Sequence, residues 1–517
     1  MIRRSIACAA TLLVAAAGVL AAPSYADDSA VVPSAPPAEH APVDAAAVPS
    51  PPQTPVQALT TARRVLSGEA TPRDPSPTVA LRDLWLRRTS LRGDARREAT
   101  AMLARPTDGT SDPQGFGYTV PSTATCNARL CVHHVATTKD APPNPGWVDH
   151  TLGVMDSVWS SEVDGLGFRA PLSDGLRGGS AHFDVYLKDL GGQFYGYCAT
   201  ESRVRNRTAS GFCVLDNDFS ASQFPQNTPE TNLAVTAAHE FFHAIQYAYD
   251  FAEDPWMMES TATWMEERVA TDVNDNRQYL PYSQLYTPFI PLDMFSMGSF
   301  YQYGNWIFWE HLTNRFGTSF VNKAWNQAGS LRGDGGKYSL QALRKLLRRK
   351  GGLTRVYADF AADNLVPSRA YREGLAYPQP KVKRSLTLSK RKRSISFRTR
   401  LFHLTSGSYR MAPGRGLAGR RWHLALRVSG PPRRTSPAAV VTIHRVNGNV
   451  QHKRVRLDRA GDGRRAVTFN RKKVAAVSIT LVNASTRFRC SRRTYLACGG
   501  KPLDDKLPIK VTARVVG

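Results

Sequence analysis

Residues 237–250 read AAHEFFHAIQYAYD. The stretch around them, from Leu233 to Ala248, is apolar on nearly every face of a helix: Leu233, Val235, Ala237, Ala238, Phe241, Phe242, Ala244, Ile245 and Ala248. A helix that is apolar all round is buried. One stripe breaks the pattern, namely His239, His243, Gln246 and Asp250. Burying two imidazoles and a carboxylate without partners costs several kcal/mol. A metal ion removes that cost, because His239 and His243 lie four positions apart and project side by side. Thr228-Pro229-Glu230 predicts the start of this helix, with Thr228 as its N-cap and proline in the first turn.

The third ligand decides the class of site. Gln246 and Tyr249 stand where a metzincin has Gly and His, which excludes that class, and no further histidine occurs before His311. The next donors are acidic: Glu253, Asp254, Glu259, Glu266 and Glu267. Residues 255–269 (PWMMESTATWMEERV) read as a second helix opened by Pro255. On it Glu259 lines up with Ala262, a small residue that lets the two helices approach.

HEFFH, a turn and then WMMESTATWMEE resemble the gluzincin metallopeptidases, in which H-E-x-x-H is followed on the next helix by Glu-[Gly/Ser]-x-Ala. The likeness is to secreted bacterial zinc metalloproteases, which share the HEFFHAIQYAYD-type helix and the Glu-Ser-x-Ala-x-Trp helix. They also carry an N-terminal LARP segment, here Leu103-Ala104-Arg105-Pro106. The resemblance spans roughly residues 78–365. It implies a zincin-like peptidase domain, Zn²⁺ bound by His239, His243 and Glu259, and Glu240 as general base. It also implies Tyr301, in Tyr301-Gln302-Tyr303-Gly304, as hydrogen-bond donor to the oxyanion. Three protein ligands would leave one zinc position for water, acidified toward neutral pH. The expected activity is hydrolysis of peptide or protein substrates.

Outward from the motif the chain divides into four parts. Residues 1–26 read as a signal peptide, with Arg3 and Arg4, an apolar stretch and Ser24-Tyr25-Ala26, so the protein is expected to be secreted. Residues 27–115 hold a proline-rich linker (29–56) and two short amphipathic helices within 78–104, broken near Gly93. Their place before a catalytic region suits a pro-segment or a helical subdomain that stays attached. Residues 116–378 read as strands first (RLCVHHVAT, HFDVYLKDL, FYGYCAT, GFCVLDNDF) and helices later, an α+β domain. FYGYCAT is a candidate edge strand for an extended substrate. Residues 379–517 carry seven or so alternating runs, from SISFRTRLFHL to KLPIKVTARV, which predict an antiparallel β-sandwich.

Six of the seven cysteines fall in local pairs, Cys126/Cys131, Cys198/Cys213 and Cys490/Cys498, and predict disulfides. The net charge of +26 is uneven: residues 381–517 hold 34 Lys+Arg and 4 Asp+Glu, a net of +30, which leaves −4 for residues 1–380. That asymmetry points to a separate partner-binding surface, with an anionic cell-envelope polymer as the expected partner. No nucleic-acid motif is present, and no later run is long and apolar enough to span a membrane. The rival reading is a cell-envelope binding protein whose zincin domain is non-catalytic; the intact set His239, Glu240, His243 and Glu259 speaks against it.

Overall fold

The computed structural model describes residues 54–69, 76–108, 116–295, 299–492 and 494–517. The expected signal peptide and the proline-rich stretch before residue 54 lie outside them. Twelve residues that had no predicted element form α1 (Pro55–Leu66), started by a capping box between Thr54 and Gln57. The two expected N-terminal helices are α2 (Pro77–Arg87) and α3 (Gly93–Met102).

A five-stranded sheet follows, of β1 (Ser122–Cys126), β2 (Leu130–Val135), β3 (Phe183–Lys188), β4 (Gly196–Arg205) and β5 (Thr208–Asp216). Its order is β1-β2-β3-β5-β4. The inner strands β2, β3 and β5 are parallel, while β1 and β4 run antiparallel at the two edges. As expected of a parallel centre, β3 and β5 are buried along their whole length. Helix α4 (Pro145–Trp159) runs into a π-helical turn at Ser160–Gly165 and packs on the sheet through Trp147, Met155 and Val158.

The metal-motif helix α5 (Pro229–Asp250) lies against β5 and β4, with Thr228 accepting from the Thr231 N–H as its N-cap. Helix α6 (Pro255–Val269) packs beside it. Tryptophans 256, 264, 306, 309 and 325 fill the core around α6 and are fully buried. The remaining helices of this region are α7 (Tyr301–Gly304), α8 (Trp306–Phe316), α9 (Ser319–Ala328), α10 (Leu340–Leu347), α11 (Leu353–Asp363) and α12 (Pro367–Ala370). Strands first and helices later is thus the observed order, an α+β arrangement.

The C-terminal part has two sheets around one core. The first is β11 (Val450–Arg454), β10 (Pro437–Arg445), β13 (Val474–Asn483), β8 (Thr405–Pro413) and β6 (Arg384–Leu388), in that order. The second is β12 (Asp462–Thr468), β9 (His423–Ser429), β16 (Leu507–Val516) and β7 (Ser394–Leu401). Val441, Ile479 and Leu481 from the first sheet meet Leu424, Leu426, Val511 and Val515 from the second. A short ribbon, β14 (Phe488–Arg489) with β15 (Lys501–Pro502), stands apart. The expected antiparallel pattern holds except at one edge, where β6 runs parallel to β8. Neither of those strands alternates cleanly, and β8 (TSGSYRMAP) is small and polar because its Ser406, Ser408 and partner residues are buried by neighbours rather than by an apolar face.

The described residues all belong to one compact unit. The five-stranded C-terminal sheet packs its outer side on α11, so β10 and β13 are covered on both faces. Arg454 pairs with Asp359 at 2.6 Å, and the buried His403 with Asp293 at 2.6 Å. Asp254, the N-cap residue of α6, accepts the Cys498 N–H at 2.9 Å. The C-terminal disulfide loop therefore holds the start of the helix that carries Glu259.

Candidate metal centre

His239 and His243 come one turn apart from α5 and Glu259 from the second turn of α6. One donor atom from each lies within 4.8 Å of the others. His239 Nε2 is 3.2 Å and His243 Nε2 3.7 Å from Glu259 Oε2. Ala262, one turn on from Glu259, is small and fully buried, while Ser260 turns to α8 and accepts from Trp309 Nε1 at 2.8 Å.

The outer ring nitrogens are engaged by other side chains. His243 Nδ1 donates to Gln246 Oε1 at 2.8 Å, and Gln246 Nε2 donates in turn to the Met258 carbonyl at 2.9 Å. His239 Nδ1 lies 2.6 Å from Glu266 Oε1. Glu266 therefore sits behind His239 rather than among the three converging donors. Orientation of a histidine ligand by a carboxylate or amide on its other nitrogen is the usual outer support of a metal site. Gln246, part of the polar stripe, has this role; Asp250, at the end of the stripe, accepts from Arg207 at 2.8 Å.

These contacts test whether the residues suit a cation. His243 Nε2 is buried with no hydrogen-bond partner and faces a Glu259 oxygen beyond hydrogen-bonding reach. A buried imidazole nitrogen left unpaired beside a carboxylate carries a cost that a cation held between them removes. Two histidines and one carboxylate are also a donor set that zinc accepts.

The field in the site is negative. Burial opposes charge on His239, yet its hydrogen bonds to Glu259 and Glu266 and the charges of Glu266 and Glu240 raise its pKa well above the usual range. Glu259 is buried too, but the two imidazoles overcome that and hold its carboxyl far below the usual carboxylate range. Burial raises Glu240, against the pull of His243 and His239, with the Glu259 charge adding to the rise. Glu266 is pushed up to about 7 by burial.

Of the two tyrosines in Tyr301-Gln302-Tyr303-Gly304, the structure places Tyr303 at the centre. Its ring is 5.9 Å from that of His239, and burial together with the charges of Glu259 and Glu240 keeps its hydroxyl protonated. Tyr301 instead packs against Tyr282 in the core. On a helix residues two positions apart point about 200° apart, so only one of the pair can face the site.

Two residues near the centre gave no signal in the sequence. Ser76 Oγ donates to Glu259 Oε1 at 2.6 Å, and Thr78 Oγ1 donates to Glu240 Oε2 at 2.9 Å. Both belong to the start of α2, where Ser76 is the N-cap. Thr78 Oγ1 also accepts the Cys198 N–H of β4 at 3.0 Å, so it joins the edge strand to Glu240. The three expected cysteine pairs are all at disulfide positions, and Cys198–Cys213 links β4 to β5 beneath α5. His133 and His134 hold no common partner: His133 pairs with Asp184 at 2.7 Å, and His134 faces Thr123. Asp216-Asn217-Asp218 is a strand-end turn, with Asp216 accepting the N–H groups of Phe219 and Leu190.

No helix among the described residues is long and apolar enough to cross a membrane. No protein-family model matches the chain, and no curated protein matches it in sequence.

Proposed function

We propose that this protein is a secreted zinc metallopeptidase of the gluzincin type. The observation that carries the proposal is the convergence of His239, His243 and Glu259, with His243 Nε2 buried and unpartnered and Glu240 next to His239 in the chain. A zinc ion held by those three residues supplies a Lewis acid and a water acidic enough to attack a peptide carbonyl at neutral pH.

The chain's own groups do the rest. Glu240, neighbour of His239 on α5, takes a proton from the attacking water and delivers it to the leaving amine. Its raised pKa suits both halves of that transfer. Thr78 fixes one oxygen of Glu240 and leaves the other for the proton. Tyr303, neutral and beside His239, is the donor to the developing oxyanion. Strand β4 is at the sheet edge, but α2 packs on it and takes its Cys198 N–H and Glu201 carbonyl, so an extended peptide would have to lie along another part of the site. Export fits three disulfides. The proposal gives the basic C-terminal domain an anionic polymer of the cell envelope as partner.

The test is metal analysis and peptide hydrolysis on one preparation of the protein. About one zinc per chain is expected, with hydrolysis of an unstructured protein such as casein. Glu240→Gln keeps the zinc and loses the hydrolysis. Stoichiometric zinc without hydrolysis in the wild type would favour the rival reading, a zincin-like domain used only for binding.

A further inference from the structure

The outer face of the four-stranded sheet is a grid of unpaired cations. The strand registers fix which side chains share it. Leu424, Leu426 and Val428 of β9, Val511, Ala513 and Val515 of β16, and Val467 of β12 point inward, so the alternate positions point out. On that outer side lie Arg398 and Arg400 of β7, Lys510 and Arg514 of β16, Arg427 of β9 and Arg464 of β12, all exposed. The only acid on the same side is Asp462, at the end of a row. Among the described residues no carboxylate lies within ion-pair distance of any of the six cations; the ion pairs of this domain involve Arg454, Arg487, His403 and His452 instead.

Two of the pairings set like charges directly opposite each other. Arg398 faces Lys510 across β7 and β16, and Arg427 faces Arg464 across β9 and β12. Such pairs weaken a sheet, so folding alone does not account for them. The positions between are small: Ser394, Ser396, Ala425, Ala466 and Thr512. The result is a flat surface with rows about 4.8 Å apart across strands and about 6.8 Å apart along them. This face is also the free one, since the other sheet of the sandwich is the one docked on α11.

We infer that this face binds a linear, base-free polymer of repeating phosphate groups. The cations are mostly arginine, whose planar fork matches phosphate oxygens in pairs. The face carries no Phe, Tyr or Trp on which a base would stack, which disfavours single-stranded nucleic acid. Its only exposed large apolar side chain is Val516, at the corner of the sheet, too little to insert into a bilayer. The inference does not rest on the peptidase reading.

The sandwich and the peptidase region share a core, so the whole chain is the right material for the test. Wild type is compared with Arg398→Ser/Arg427→Ser/Arg464→Ser/Lys510→Ser. A control of equal charge loses four exposed cations elsewhere in the domain: Arg384→Ser/Arg415→Ser/Arg471→Ser/Lys472→Ser. The probe is long-chain inorganic polyphosphate, which has the repeating charge and nothing else. Wild-type affinity should fall about 50-fold or more between 50 and 200 mM salt, as release of counterions from four or more phosphates requires. The face variant should bind at least tenfold more weakly than wild type and melt no lower, because the opposed like charges are gone. The control should lose less than threefold. Equal losses in the two variants would reduce the effect to diffuse charge and overturn the inference. So would tighter binding to vesicles containing anionic phospholipid, or to a single-stranded oligonucleotide, than to polyphosphate.

Discussion

Thr78 donates its hydroxyl to Glu240 Oε2 at 2.9 Å while accepting the Cys198 N–H of the edge strand at 3.0 Å. This one side chain, 162 residues before Glu240, ties the proposed general base to the edge strand β4. A carboxylate with one oxygen fixed presents the other in a single direction. Thr78→Val keeps the shape and removes both hydrogen bonds. It should lower kcat by about tenfold with zinc content unchanged, in the range expected when one support of a catalytic group is lost. Thr78→Ser should restore most of the rate. An unchanged kcat in Thr78→Val would mean that α2 merely covers the site.

Glu266 and Glu259 are both carboxylates beside His239, yet they face different nitrogens, Nδ1 and Nε2. The difference predicts two kinds of loss. Glu259→Gln removes a ligand and should leave the purified protein with little zinc. Glu266→Gln removes only the support of His239 and should weaken zinc binding by about 10- to 100-fold, with near-full loading at excess metal. Competition with a chelator on the two variants measures this. Full zinc retention in Glu259→Gln would transfer the ligand role elsewhere.

Tyr303 lies over the site and Tyr301 does not. Tyr303→Phe should therefore reduce kcat more than KM, because its bond forms to charge that develops in the transition state. Loss of one such donor costs about 100-fold or more in other hydrolases. Tyr301→Phe should change kcat by less than threefold. The opposite ranking would return the role to Tyr301.

The two metal helices were legible because burial and polarity conflict there. His239, His243 and Gln246 sit on a helix with little solvent face, so each needs a buried polar partner. The strands β2 to β5 were legible as short runs rich in β-branched and aromatic residues between turns, although the charged second half of β4 (ESRVR) gave no such signal. Residues 76–78 were not legible, since a serine and a threonine before a helix read as an ordinary N-cap. Nothing local says that Ser76 also reaches Glu259. The choice between Tyr301 and Tyr303 was likewise invisible, because it depends on the rotation of a four-residue helix. The cation grid needed the strand registers: composition gives the excess of arginine, but only pairing puts Arg427 beside Arg464.

His311 gives a pH dependence of stability away from the metal. It is buried on α8 against Phe360, and burial pushes its pKa down from 6.5 to about 4 despite the charge of Asp363 nearby. The unfolded chain takes up the proton near 6.5 and the folded chain only near 4. The unfolded state therefore binds more protons between those values, and stability falls as the pH drops through that window. The loss from this group is on the order of 3 kcal/mol by pH 4. His311→Gln should show a smaller fall in Tm between pH 6.5 and 4 than wild type. Equal slopes for the two proteins would remove His311 from the account.

Arg105 decides whether the N-terminal helices leave the mature protein. Its guanidinium, 1 % exposed, grips Glu201 of β4 through Nε and Nη2 at 2.7 and 2.9 Å, donates to the Tyr186 hydroxyl at 3.0 Å, and contacts Asp174 and Asp184. Val79 and Trp85 of α2 lie in the same core as the metal helices, and Arg82 donates to the Glu253 carbonyl at 2.7 Å. Removing the segment would leave three carboxylates around Arg105's place, with His133 beside Asp184 and the half-exposed Arg177 beside Glu201. Uncovering one buried charge typically costs 3–5 kcal/mol, roughly a third or more of the stability of an ordinary domain. Arg105→Met should thus lower stability by about that much in urea unfolding. Arg105→Lys, which keeps the charge without the fork, should fall in between. By the same reasoning the purified folded protein should retain residues 76–108, with its N-terminus before Pro55. An N-terminus beyond residue 108 on folded, active protein would show the segment to be removable and this account of Arg105 to be mistaken.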